Sequence, residues 1–159
     1  MIGGTKVETE TANPPPQPLA IGLIKTAIAY VEAAQLLDKA QVRSTKVFHP
    51  KYFLLCQSME LALKAYLAAS GVSQKKLRSR VGHNIELAFQ YAQRRFGFTA
   101  ADARFPELVG WLAPYHLDHS FRYRKTQKFQ LPPASEAAEI INNTAAEIEV
   151  HVRREFSNL

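Results

Sequence analysis

Residues 48–84, FHPKYFLLCQSMELALKAYLAASGVSQKKLRSRVGHN, decide the fold. Pro50 suits the first turn of a helix, because its ring fixes φ and its missing N–H has no partner to lose there. Gly71 suits the stop, where a left-handed residue closes the last turn. The spacing therefore predicts a helix from Pro50 to about Ser70. Tyr52, Leu55, Met59, Ala62 and Tyr66 mark one face of it, and Phe53, Cys56, Leu63 and Leu67 mark another. A rod that is apolar on two faces has to lie in the middle of a bundle. On this rod Glu60 and Lys64 stand at i and i+4, worth about 0.2–0.5 kcal/mol if exposed and expensive if buried without further hydrogen bonds. They occupy either the one solvated strip of the rod or a partly buried polar cluster with His83 and Arg122.

Outward from the rod the chain punctuates itself. Residues 1–17, with three consecutive prolines at 14–16, are expected to form a flexible N-terminal tail, leaving 18–159 as one helical domain. Ile24, Ala27, Ile28, Val31 and Ala34 recur at helical spacing between Leu19 and Gln41. After the rod, Asn84 fits the N-cap of a helix that reaches Phe96 and stops at Gly97, with Ile85, Phe89, Ala92 and Phe96 as its apolar stripe. Thr99 with Asp102 resembles a capping arrangement for a helix through Val109, Leu112 and Leu117. Pro106 lies in its first turn and Pro114 is placed to bend it. Trp111 reads as core. A basic loop spans 119–133, and a last helix runs from about Ser135 to Phe156 with Ile141, Ala145, Ile148 and Val152 along one side. No strand alternation or long-period repeat occurs. The fold class is all-α, an up-and-down four-helix bundle with an extra short helix.

Composition narrows the setting. A domain of 159 residues buries roughly 68–70% of its unfolded surface, and 47% hydrophobic with 21% charged residues is ordinary for a globular protein. No apolar run approaches the ~20 residues that span a bilayer, so no membrane association is expected. The lone Cys56 forbids an internal disulfide and suits a reducing cytoplasm, where a small core hydrophobe is its ordinary role. Net charge is +6. Lys75, Lys76, Arg78 and Arg80 fall in one connector; Arg122, Arg124, Lys125 and Lys128 fall in another. Each is a solvated loop unless the fold brings the two to one face, in which case phosphate becomes a competitive ligand.

Three short motifs, Ser58-Met59-Glu60-Leu61-Ala62-Leu63-Lys64-Ala65, Gly82-His83-Asn84 and Phe121-Arg122-Tyr123, carry a resemblance over about residues 20–156. In that order and spacing the chain resembles the HEPN family (higher eukaryote and prokaryote nucleotide-binding domain), small helical bundles often found beside nucleotidyltransferases. The resemblance implies a bundle that pairs with a second copy of itself. It implies work as a toxin, as an antitoxin's partner or as a metal-independent ribonuclease. The family's ribonucleases use an Arg, four to six residues, then a His on the final long helix. Here that helix has His151 with no Arg in register, so the motif is missing where the family places it. Arg78 and His83 have four residues between them, and Arg43 and His49 have five, both pairs at connectors.

The remaining polar residues divide between bland and functional roles. His83 fits a capping or hydrogen-bonding residue at a helix start, and equally the edge of an anion site or, with Arg78, a catalytic pair. Asn84 shares that junction. Arg122 and Tyr123 either pack over the bundle end or clamp a phosphate and stack on a base. Lys75, Lys76, Arg80, Arg124 and Lys125 are the phosphate-contact candidates. His116 and His119 stand three apart, too few ligands for a metal site, and neither metal nor cofactor is expected. No phosphate-binding Gly loop, nucleophile elbow or Cys pair occurs. The reading is a dimeric, non-catalytic HEPN-like module that binds RNA, a nucleotide or a partner protein. An endoribonuclease with a non-standard Arg/His site and a purely structural dimerisation protein are the alternatives.

Overall fold

Every regular element is helical among the residues that the computed structural model describes, which are 16–40, 48–123 and 128–157. The chain forms α1 (Pro16–Lys39), α2 (Phe48–Ala69), α3 (Gln74–Lys76) continuing into a π turn (Leu77–Val81), α4 (Ile85–Phe96), α5 (Phe105–Leu117) and α6 (Ala134–Ser157). The bundle is all-α. Its helices differ in length: α1, α2 and α6 have 24, 22 and 24 residues, whereas α4 and α5 have 12 and 13. The three long helices pack on one another, α4 lies against α2, and α5 bridges α4, α2 and α6.

Helix α2 is central for the reason its sequence gives. Leu55, Met59, Leu63 and Leu67 have no exposed surface, and Tyr52, Cys56, Ala62 and Tyr66 are buried beside them. Each fully buried Leu or Met contributes about 1.5–3 kcal/mol of transfer free energy. Ser58, also buried, donates its hydroxyl to the Ala27 carbonyl oxygen at 2.6 Å and so pins α2 to α1. The helix begins two residues before Pro50, which occupies its first turn. It ends at Ala69, and Gly71 closes the turn beyond it, with a φ of +96° that lets Val72 N–H reach back to the Leu67 carbonyl at 2.9 Å.

The first basic connector is not a loop. Ser73 caps the short α3, and the π turn buries Leu77 and Val81 on one side while Lys75, Lys76, Arg78 and Arg80 stay exposed on the other. Gly82 (φ +54°) ends it, and Asn84 caps α4 by accepting from Leu87 N–H at 2.9 Å. Gly97 closes α4 in the left-handed region, as its position predicts. The Thr99 cap does not form. Asp102 accepts instead from the Arg104 backbone and guanidinium at 2.8–3.0 Å, and α5 starts at Phe105 with Pro106 in its first turn. The helix continues through Pro114 to Leu117.

Three residues expected in the core face outward: Phe96, Trp111 and Leu117 are 37%, 41% and 52% exposed. The stripe that α5 buries is Phe105, Leu108, Val109, Leu112, Ala113 and His116, and Trp111 falls on its far side. Phe96 is the last residue before the Gly97 turn and meets the edge of Tyr91 rather than the core.

Helix α1 corrects two expectations. It starts at Pro16, inside the stretch read as tail; residues 1–15 lie outside the described residues. Over Gln17–Lys39 it is also long and apolar enough to cross a membrane, with a mean hydropathy of 1.4 in its best window. In the fold its Ala20, Ile24, Ala27, Val31, Ala34 stripe is buried, with α2 and α6 as the helices it packs against.

Candidate functional site

Glu60 is 2% exposed and accepts from three side chains. It sits in the middle of α2. His116, near the end of α5, brings Nε2 to 2.6 Å from one carboxylate oxygen. Lys64, one turn along α2, brings its ammonium to 2.6 Å from the other. His83, between the π turn and α4, brings Nδ1 to 3.1 and 3.3 Å from the two oxygens. A carboxylate has about four lone-pair sites, so all three donors can be served together. Burial alone would raise the carboxyl's pKa. The hydrogen bonds from His116 and Lys64 and their charge outweigh it and hold the carboxyl down at about 2, so Glu60 remains an anion.

Of the two alternatives for Glu60 and Lys64, the structure has the polar cluster, with one member exchanged. Glu60, Lys64 and His83 are in it. Arg122 is not: its guanidinium lies over the Phe53 ring at 5.7 Å. His116 takes the place expected for Arg122. Nε2 of His116 is committed to Glu60, and His119 lies beyond the end of α5 with φ +60°. No group of three or more potential metal ligands occurs among the described residues. A clue to His116 was available in the sequence, since it continues the Leu108, Leu112 stripe at the next i+4 step.

Beside the cluster lies a shallow pit. His83, His116, His119 and Arg122 line it, with Phe53, Tyr115 and Phe121 as aromatic walls. The second connector reaches it because aromatic rings anchor both ends of the described part of 119–133. Phe121 stacks on Tyr52 at 5.7 Å and on Phe129 at 5.4 Å, and the Tyr52 hydroxyl donates to the Pro132 carbonyl. His83 is 66% exposed. With Nδ1–H given to Glu60, its Nε2 is left toward solvent.

The other sequence candidates scatter. Asn84 spends its side-chain oxygen on the α4 cap. Tyr123 is exposed and edge-on to His119 at 6.3 Å. Arg78, the candidate partner of His83 in the enzyme alternative, is exposed and does not line the pit, and the hydrogen bonds of His83 run to Glu60. Lys75 and Lys76 are exposed on α3, and Arg80 faces a different groove. Arg124, Lys125 and Arg43 lie outside the described residues. His151, the lone histidine of the last helix, stacks on Tyr66 at 4.5 Å and lines a separate cleft of about 520 Å³ with Arg154; burial holds its pKa down. No protein-family model, no curated protein and no solved structure matches the chain, so the HEPN resemblance rests on residues 58–65, 82–84 and 121–123 alone.

Proposed function

We propose that the chain is a non-catalytic HEPN-type binding module, a cytoplasmic homodimer that takes RNA or a nucleotide through its phosphates. It would serve a toxin–antitoxin or nucleotidyltransferase-linked system. One observation supports the ligand: the two connectors meet at the pit, His83 from the first and His119 with Arg122 from the second. Cationic or donor groups converging from separate elements, with rings on which a base can stack, suit a phosphate-bearing chain. The pairing and the biological setting are supported by the motif resemblance only.

Titrating labelled single-stranded RNA at two salt concentrations tests the ligand. Affinity should fall as salt rises, and Arg122→Ala should lower the log–log slope by about 0.7, the share of one phosphate contact. An affinity indifferent to salt would end the phosphate reading. Sedimentation as a monomer at micromolar concentration would end the pairing.

A second reading keeps the metal-independent endoribonuclease. Glu60 holds His83 by Nδ1, which leaves Nε2 outward, the arrangement of an oriented general base. Arg122, rather than Arg78, is then the cation beside it. Total RNA incubated in chelator, with His83→Ala as control, decides between the two: cleavage that disappears in the variant replaces the binding module with the enzyme.

A further inference from the structure

The structure carries a second unclaimed surface, and it is independent of the pit. We propose that the groove between α4 and the π turn docks an acidic, amphipathic segment of a partner protein. The groove has a volume of about 440 Å³. Arg80, Arg94 and Arg95 line it together with Val81, Leu87, Gln90 and Tyr91.

Two features select the occupant. First, no carboxylate lines the groove, and none of its three arginines makes an ion pair among the described residues. Two guanidinium groups elsewhere on the surface are paired, Arg104 with Asp102 and Glu139, and Arg153 with Glu149, whereas Arg78, Arg122 and Arg154 are scattered singly rather than gathered at one groove. Three like charges gathered around one concavity repel one another and favour an anionic partner. Second, the lining offers an exposed aliphatic side chain as well as an aromatic one. Leu87 is 41% exposed on a helix whose opposite face buries Ile85, Ala88, Phe89 and Ala92.

Leu87, Tyr91 and Arg94 or Arg95 follow at i, i+4 and i+7 or i+8, one stripe along α4. A segment laid along that stripe runs about 12 Å, roughly two turns of helix. Carboxylates would pair with the arginines in fork geometry, and an apolar anchor would cover Leu87. A nucleic acid strand satisfies the arginines and Tyr91 but leaves Leu87 uncovered. Leu87 is therefore the reason for a peptide rather than a phosphate chain.

The test is selection of 14-residue peptides from a displayed random library against the full chain, followed by anisotropy titration of the winners. Winners should carry Asp or Glu together with Leu, Phe or Trp at i and i+3 or i+4. Leu87→Ser and the double variant Arg94→Ala/Arg95→Ala should each weaken them by about tenfold or more. Both variants change exposed residues, and circular dichroism confirms that they stay folded. His83→Ala and Arg122→Ala must leave peptide affinity unchanged, which separates this surface from the pit. Winners without acidic bias, or winners indifferent to the groove variants, overturn the proposal. So does poly-glutamate binding as tightly as the winners, which reduces the groove to charge. So does single-stranded oligouridine that displaces the winners and loses its own affinity in the groove variants, which makes the site a nucleic-acid groove.

Discussion

Glu60→Gln tests the polar cluster most directly. The amide keeps the size of the carboxylate but offers one acceptor oxygen where three donors converge, from His116, Lys64 and His83. Its NH₂ then faces a donor with nothing between them. Removing one member of a buried ion pair costs about 3–5 kcal/mol, because the other charge is left unpaired. Lys64 is 13% exposed and can turn partly to water, which places this case at the lower end. The depressed carboxyl gives an independent figure. A fall from 4.5 to about 2 corresponds to about 3 kcal/mol. The expected loss is therefore about 3 kcal/mol at pH 6, read as a drop in the urea midpoint without a change in m. In a melt it is roughly 6–12 °C for a domain of this length. The pH dependence has a definite sign. A folded pKa below the unfolded one contributes stability in full above about 4.5 and loses it as pH falls toward about 2. The gap between wild type and variant should thus narrow by about half between pH 6 and pH 3. A loss below about 1 kcal/mol at pH 6, the range of exposed pairs, refutes the buried cluster. A gap that does not narrow in acid refutes the assignment of the effect to this carboxyl.

Other substitutions isolate single features. Burial, and then the Glu60 carboxylate beside it, pushes the Cys56 thiol far above its ordinary range, so Ellman's reagent should label it only as the chain unfolds; rapid labelling of the native protein would contradict the packing of α2. Asn84→Ala should cost about 1 kcal/mol by urea denaturation through loss of the α4 cap, with Asn84→Ser recovering most of it. Gly97→Ala should cost about 1–2 kcal/mol from φ +68° alone, since no neighbour lies within 4 Å of the added Cβ. A loss much above 3 kcal/mol there would mean that packing, not backbone conformation, holds the turn.

What the sequence made legible follows from how each signal is encoded. The rod from Pro50 to Ser70 and the α4 span were readable because caps and stops are local: Pro50, Gly71, Asn84 and Gly97 each act through their own backbone. Which face of a short helix is buried is not local. Trp111 and Phe96 look like core by type, and only the placement of α5 and the Gly97 turn sends them outward. The cluster was half legible for the same reason. Glu60 and Lys64 lie on one helix and His83 at the next junction, but the choice between His116 and Arg122 as the remaining partner depends on the angle at which α5 meets α2. Arg122 carries the stronger charge, yet the fold gives it to Phe53 and gives the buried oxygen to a histidine on an apolar stripe.

The tether between Glu60 and His83 also separates the two functional readings by pH. Glu60 has almost no exposed surface and His83 is two-thirds exposed, so a hydrogen bond to the core orients a residue at the rim of the pit. An imidazole that binds phosphate does so best with Nε2 protonated, as a charged donor. An imidazole that draws a proton from a ribose hydroxyl needs the same nitrogen bare. The two roles demand opposite protonation states of one atom whose ring orientation Glu60 has already set. Measured over roughly pH 5–8, RNA affinity that strengthens toward acid and is flattened by His83→Ala belongs to the binder. Cleavage that rises toward neutrality and vanishes in the same variant belongs to the enzyme. If neither property changes with pH, or if His83→Ala alters neither profile, the pit is not where this chain meets RNA.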